Sequence, residues 1–292
     1  MIRFSLVMAT RGRTDEIAAF IDSLLMQGRE DAELIVVDQN GDDRLAAVLA
    51  PFAPRLRLLH LRSSVANANH ARNLGLREAT GAIVGFPDDD CLFPPGLLDA
   101  VARAFDADPR LQVLTGPAAS PEGGLGSGRW RAEAGAITPA NAWTSVIEFN
   151  LWLRRPVALV LGGFDEAMGP GTPLGSAEGN DLVLRAIGAG HAARYEPALR
   201  VVHPDKRLSE IAVARARLYG RGLGFALRRH GVGPAVWLPF AIRPLGGAAL
   251  SLLRLKPRDA AYYAMTLAGR AAGFLRGDAT AGRQRAPIAG QP

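Results

Sequence analysis

The sequence predicts an α/β fold, a mainly parallel sheet flanked by helices, with a basic helical appendage at its C-terminal end. Three observations predict it. Short apolar runs rich in β-branched residues alternate with helical patterns through the first hundred residues, which implies right-handed βαβ crossovers. Polar clusters recur at the carboxyl ends of those runs, at Thr10 and Arg11, at Asp38, and at Asp88, Asp89 and Asp90, where open parallel sheets bind ligands. Charge is split along the chain: residues 1–203 carry 19 Lys and Arg against 24 Asp and Glu, a balance of −5, and residues 204–292 carry 15 against 4, a balance of +11.

Each element has its own signal. A first strand over 2–8 runs into ATRGR; Thr14, Asp15 and Glu16 then open a helix with apolar positions Ile17, Phe20, Ile21, Leu24 and Leu25, stopped by Gly28. A second strand over 33–38 ends in Asp38-Gln39-Asn40-Gly41-Asp42, followed by a helix over 44–50 and a strand over 56–60. The small-residue stretch ANANHARNLG lies in a helix over 66–80, with Asn67, Arg72 and Asn73 as donors. Arg72 suits an ion pair with a neighbouring carboxylate, a phosphate, or a plain helix surface; Asn67 suits a ligand contact or a helix cap. A strand over 82–86, the three acids and a helix over 97–105 follow. Residues 115–142 read as loop, and 144–154 as a strand with Ile147, Phe149, Leu151 and Leu153 on one face. Trp130, Trp143 and Trp152 suit stacking on sugar faces or places in the core.

The stretch GAIVGFPDDDCLF, residues 81–93, carries the most chemistry. Three successive carboxylates end a buried strand, and nothing basic lies in the next dozen residues to offset them. Clustered oxygen donors suit a hard divalent ion such as Mg²⁺ or Mn²⁺ together with a phosphate-bearing substrate. A solvated acidic turn capping the next helix is the alternative.

Composition narrows the class. The chain has 292 residues, 48% apolar and 21% charged, enough for one large domain or a domain with an appendage. The single Cys91 excludes an internal disulfide and a multi-cysteine zinc site and fits a reducing compartment. His60, His70, His191 and His230 have no zinc spacing. The start of the chain reads as a strand rather than a secretory signal. The first turn, ATRGRTD, has one glycine where a dinucleotide fingerprint needs three, and Gly123 to Gly128 is not followed by the Gly-Lys-Ser/Thr of a P-loop.

ATRGR, VVDQN, ANANHARNLG, GFPDDDCLFPPGLL, the later LGGFDE (161–166) and SAEGNDLVLR (176–185), and the closing Tyr195-Glu196-Pro197 and Val201-Val202-His203 together resemble a family 2 glycosyltransferase of the GT-A fold. The resemblance covers roughly residues 1–230. It implies a Rossmann-like sheet, a nucleotide-sugar donor and a divalent metal, Mn²⁺ or Mg²⁺. It places Thr10, Arg11, Asp38 and Asn40 along the base and ribose, with Asn67, Arg72, Asp88 and Asp89 also on the nucleotide-sugar side and Asp90 and His203 as metal ligands. It implies inversion at the anomeric carbon by a single displacement, with a carboxylate taking the acceptor's proton. The family often has Glu-Asp where this chain has Glu178-Gly179, so Glu178 is the first candidate base and Asp181 the second. For Glu178 the competing reading is an exposed loop acid; for Asp181 it is a first-turn helix acid. Residues 169–175, rich in Gly and Pro, read as a loop able to order over substrate.

The expected organisation is a transferase domain over 1–230, a helical segment over 231–276 and a disordered tail over 277–292. The apolar stretch 232–253 is interrupted by Arg243, Pro234, Pro239 and Pro244, short of the roughly 20 uninterrupted apolar residues of a clean span. Apolar segments alternating with arginines suit peripheral contact with an anionic membrane, at the cytoplasmic inner face of the plasma membrane. A helical subdomain with its basic face in solvent competes. Nucleic acid is not an expected partner, because no binding module is present. The expected acceptor is a glycan or a lipid-linked hydroxyl. A nucleotidyltransferase and a degenerate nucleotide- or glycan-binding protein remain alternatives, the second because of Gly179.

Overall fold

The computed structural model describes residues 1–205 and 209–277. In chain order the elements are β1 (Phe4–Thr10), α1 (Asp15–Leu25), β2 (Ala32–Asp38), α2 (Arg44–Leu49), β3 (Arg57–Arg62), α3 (Ala68–Glu78), β4 (Ile83–Gly85), α4 (Leu97–Ala107), β5 (Leu111–Thr115), β6 (Ala118–Ala119) and β7 (Gly135–Ala136). They continue with β8 (Leu151–Arg154), α5 (Arg155–Val160), α6 (Glu178–Gly188), β9 (Ala192–Tyr195), β10 (Val201–Val202), α7 (Glu210–Arg229), α8 (Pro234–Leu253) and α9 (Pro257–Arg276).

Eight strands form one sheet in the order β3-β2-β1-β4-β8-β5-β9-β7. The β1–β2, β2–β3, β1–β4 and β5–β9 pairs are parallel; β8 runs antiparallel between β4 and β5, and β7 antiparallel to β9. Both faces are covered, so β1 and β2 are apolar on both sides. Leu6, Met8, Leu34 and Val36 join one core; Val7, Ile35 and Val37 join the other, under α3. Trp152 is buried in the first core, edge-on to Phe4 with ring centroids 6.3 Å apart, so it is a core residue and not a sugar platform. A Cβ on Gly85 would lie 2.6 Å from the Trp152 ring, which is why that strand position carries no side chain.

The strand expected over 144–154 is only half formed. Short 3-10 turns occupy Ala142–Thr144 and Glu148–Asn150, and the strand is β8 alone. The Asn150 amide is responsible: it donates to the Pro117 and Leu199 carbonyls and accepts from Trp152 Nε1 at 3.0 Å, holding the chain out of register with its neighbours. The alternating apolar pattern there reflects contacts to several partners, not one pleated face.

The C-terminal helices add to the sequence reading in two ways. Glu210–Arg229 forms one helix, α7, whose glycines meet those of α9: added Cβ atoms on Gly220, Gly224, Gly269 and Gly273 would each strike backbone of the opposite helix. The prolines do not interrupt α8, which runs for 20 residues with Pro239 and Pro244 inside it and is long and apolar enough to cross a membrane, with 11% of its most apolar window buried. Pro244 leaves the Phe240 carbonyl without its helical donor. The Arg270 guanidinium of α9 supplies that bond at 2.6 Å and lies over the Phe240 ring. Burial there pushes the Arg270 pKa down to about 10. The tail expected to be disordered lies, from residue 278 onward, outside the described residues.

Because the α7–α9 seam depends on bare backbone contact, Gly273→Ala is expected to cost about 1–3 kcal/mol through overpacking. The check is amide hydrogen exchange: protection should fall in α7 and α9 and persist in β1 and β2. Unchanged protection would mean that the seam has room for a methyl group.

Candidate active site

The site assembles at the carboxyl ends of β1, β2 and β4. β1 ends in Thr10, whose hydroxyl donates to Asp89 at 2.7 Å. β2 ends in the fully buried Asp38, which accepts from the Asn40 backbone and side-chain amides, both at 2.8 Å, and meets His60 and Arg62 of β3 at 3.1 Å. Asn40 in turn accepts from the Gly12 amide at 2.7 Å, tying the first turn to the second. Thr10, Asp38 and Asn40 therefore form one connected wall. Arg11 lies on the exposed rim of that wall. Its neighbour Arg13, which the sequence reading did not single out, is the residue that turns inward and pairs with Asp89 and Asp90.

The three acids are not left to a cation alone. Asp88 accepts from Arg72 at 2.8 Å, Asp90 meets His203 at 3.2 Å, and Arg13 bridges Asp89 and Asp90. Each base comes from a distant part of the chain, so the lack of basic residues within a dozen positions did not describe the charge balance. His203 arrives because the backbone amides and carbonyls of Leu92 and Val202 exchange hydrogen bonds of 2.8 and 3.0 Å, setting β10 beside the acids. Its ring stacks on Phe149 at 4.5 Å.

Burial pushes Asp88 up to about 6 against the pull of Arg72, and burial also raises Asp89. Burial opposes the ionised form of Asp90 too, but hydrogen bonds and charge from His203 and Arg13 outweigh it and hold this carboxyl at about 2. For His203, burial works downward, and the Asp90 bond and the charges of Asp90 and Asp88 overcome it and raise the value. Asp88, Asp90 and His203 each present a donor atom within 4.8 Å of the other two. Two hard carboxylates and one imidazole suit a divalent ion of the Mn²⁺ or Mg²⁺ kind.

ANANHARN works as a clasp. Asn67 caps α3, accepting from the Asn69 and His70 amides, and its own amide donates to the Glu166 carbonyl at 2.7 Å. Asn69 donates to the Asp165 and Met168 carbonyls, and Asn73 exchanges bonds of 2.9 and 2.8 Å with the Phe164 backbone. Asn67 is thus a helix cap that also ties α3 to residue 166. The clasp fixes residues 164–168 and, beyond them, Gly169, whose positive φ of 84° turns its backbone against the Glu178 carboxyl.

Glu178 opens α6 and is 2% exposed, so it is not a loop acid. Its carboxylate lies 3.6 Å from Arg72, the guanidinium that also holds Asp88. Burial, reinforced by the charge of Glu148, pushes Glu178 up to about 8. The residue before it, Ala177, has φ of 69°, a left-handed conformation rare for a side chain-bearing residue and typical of functional turns. Asp181, one turn on, faces elsewhere. It accepts from Arg185 at 2.8 Å and His230 at 2.9 Å, with Arg229 at 3.5 Å, and these partners outweigh burial and hold it well below the carboxylate range. Its role is to lock α6 to the end of α7. Glu148 and Arg229, like Arg13, were missed in the sequence: Glu148 sits in a run whose pattern pointed to a strand, Arg229 in the basic tail, and Arg13 beside Arg11 in the first turn.

The architecture is that of a GT-A glycosyltransferase. It superposes on the mannosyltransferase PcManGT of Pyrobaculum calidifontis, solved with GDP-Man and Mn²⁺, with a TM-score of 0.62 at 18% identity over 93% of this chain and 86% of that one. It superposes on residues 1–349 of TarS of S. aureus, solved with UDP, with a TM-score of 0.57 at 17% identity over 92% and 89%. The family model "Glycosyl transferase family 2" matches residues 5–153, just over half of the chain, and the protein belongs to that family. Among curated relatives, the uncharacterized glycosyltransferase YwdF of Bacillus subtilis is 28% identical over 108 residues, 36% of this chain and 39% of its own length. An uncharacterized glycosyltransferase of Haemophilus influenzae is 25% identical over 114 residues, 39% and 38%.

Asp181→Asn should destabilise the fold by about 3–5 kcal/mol, because it strands buried cations. The wild-type contribution is complete above the unfolded carboxylate's range near 4 and drains away as the pH falls through the depressed folded value. Urea unfolding of both proteins should therefore show a stability gap that is full at pH 7 and narrows in strong acid. A gap independent of pH would contradict the ion-pair account.

Proposed function

We propose that this chain transfers a sugar from a nucleotide-diphosphate donor to a hydroxyl of a glycan or lipid-linked acceptor, with inversion at the anomeric carbon. The observation that carries the reading is a division of labour among acids in one cluster: Asp88, Asp89 and Asp90 follow the end of β4, and Glu178 stands apart from them across Arg72. Thr10, Arg11, Asp38 and Asn40 take the base and ribose side, with Arg72, Asp88 and Asp89 next to the sugar and diphosphate. Asp90 and His203, with Asp88, would hold a divalent ion, whose positive charge would offset that of the diphosphate leaving group. The acceptor oxygen attacks the anomeric carbon as the bond to the diphosphate breaks and its electron pair leaves with the nucleotide. Glu178 takes the acceptor's proton, a role suited to a carboxyl whose affinity for protons lies near neutrality. Mn²⁺ with GDP-Man in one fold relative and UDP-GlcNAc in another support this donor class.

The same reading gives residues 231–276 a membrane-facing role, with α7 as the joint to the transferase part. Leu238, Ile242, Leu245 and Leu252 recur on one face of α8 at 44–61% exposure, and Arg254, Lys256 and Arg258 follow at its end. An apolar stripe next to cations suits peripheral attachment to an anionic leaflet on the cytoplasmic side.

Calorimetry with UDP, GDP, dTDP and CDP, with Mn²⁺ or Mg²⁺ and again with EDTA, tests the donor site. One nucleotide should bind in a metal-dependent way and lose that binding in Asp90→Ala. Well-folded protein that binds none of the four would refute the transferase reading. Glu178→Gln should keep nucleotide binding and lose about 10²–10⁴-fold in turnover, the range of a lost general base; full turnover would remove Glu178 from the mechanism, and donor binding by wild type without any turnover would favour a binding protein. For the C-terminal part, sedimentation with vesicles rich in phosphatidylglycerol should carry down wild type, and Leu245→Glu with Leu252→Glu should abolish it. Equal sedimentation of both proteins, or none of either, would count against membrane attachment.

A further inference from the structure

Position 179 lacks an acid, yet the space beside it is not empty of one. A Cβ built on Gly179 would lie 3.4 Å from the Glu148 backbone nitrogen, Cα and Cβ. Glu148 opens the 3-10 turn just before β8, the turn that Asn150 holds out of the sheet. It is half-buried, whereas Glu178 is sealed.

We propose that Glu148 is a positioning residue for the transfer reaction: packed against Gly179, it supplies from β8's leading turn the second carboxylate that the chain lacks at that position, beside Glu178 and Arg72. The inference rests on the reading of Glu178 as the proton acceptor.

The electrostatics of the cluster support it. The charged groups facing Glu178 are Arg72 from α3, Asp88 from the turn after β4, and Glu148. Asp181, on Glu178's own helix, is engaged with Arg185, Arg229 and His230 instead. One guanidinium thus serves three carboxylates. Arg72 is itself 3% exposed, donates to Asp88 and Asn69, and keeps a buried Nε with no hydrogen-bond partner. It does not neutralise all three acids, and burial, reinforced by the charge of Glu148, makes Glu178 the one that most readily holds a proton. Like charges sharing a site raise the proton affinity of one member. A carboxyl that is to take a proton from a sugar hydroxyl near neutral pH needs that affinity.

Removing the charge of Glu148 without its bulk should therefore weaken Glu178 as a base and move its titration. The experiment is the pH profile of kcat/KM for donor turnover by the full chain, in wild type, Glu148→Gln and Glu148→Gln with Gly179→Asp. The donor is the sugar nucleotide of whichever diphosphate calorimetry selects. In Glu148→Gln the acidic limb should move to lower pH, with kcat reduced and nucleotide affinity by calorimetry unchanged. Adding the acid at 179 should return the limb toward its wild-type position, because the site accepts a side chain there in ordinary contact. An acidic limb that stays in place in Glu148→Gln overturns the inference. So does loss of turnover at every pH without a shift, which would make Glu148 the proton acceptor itself. The underlying reading fails differently: it falls if Glu178→Gln turns over donor at the wild-type rate, whatever Glu148 does.

Discussion

The site depends on a surplus of negative charge held at the ends of parallel strands. Asp88, Asp89 and Asp90 leave β4 together, and Glu148 and Glu178 approach from the other side. Against these five stand Arg13, Arg72 and His203. Carboxylates so placed repel each other unless cations, protons or a ligand answer them. Much of the surrounding structure can be understood as the means of bringing those three bases to the acids: the first βα turn carries Arg13, α3 carries Arg72, and the β10 bridge to Leu92 carries His203.

The same constraint explains the clasp of asparagines on α3. Burying Arg72 requires a rigid helix start and a fixed floor, and Asn67, Asn69 and Asn73 bind that floor to residues 164–168 through backbone carbonyls and amides. The floor positions Gly169 against Glu178, and α6 is then locked at Asp181 by Arg185, Arg229 and His230. The basic C-terminal helices therefore do two things at once. The end of α7 helps fix α6, and its glycine seam with α9 leaves α8 to present an apolar face outward.

Most of the fold was legible in the sequence. The β-branched runs, the helical periods and the acids at strand ends placed β1, α1, β2, α3, β4 and α4 within a few residues, because parallel strands buried on both faces need continuous apolar sequence. The misreadings had specific causes. Residues 144–149 alternate like a strand, but Asn150 finds its partners in Pro117 and Leu199 and turns the chain instead. Arg243 and the prolines interrupt the apolar run of 232–253, but the helix α8 continues through them, with Arg270 occupying the carbonyl that Pro244 strands.

By itself the sequence determined the alternating α/β architecture, the acidic triplet at the end of β4 and the charge asymmetry between body and tail, since these follow from local pattern and composition. Only the tertiary structure decided which residues answer the acids, because Arg13, Arg72 and His203 are brought together from separate elements. It also gave two acids three residues apart different surroundings. Glu178 and Asp181 share a helix turn and look alike in sequence, yet one is sealed among like charges and the other among cations. That difference belongs to the neighbours each side chain meets in space, which no local spacing records.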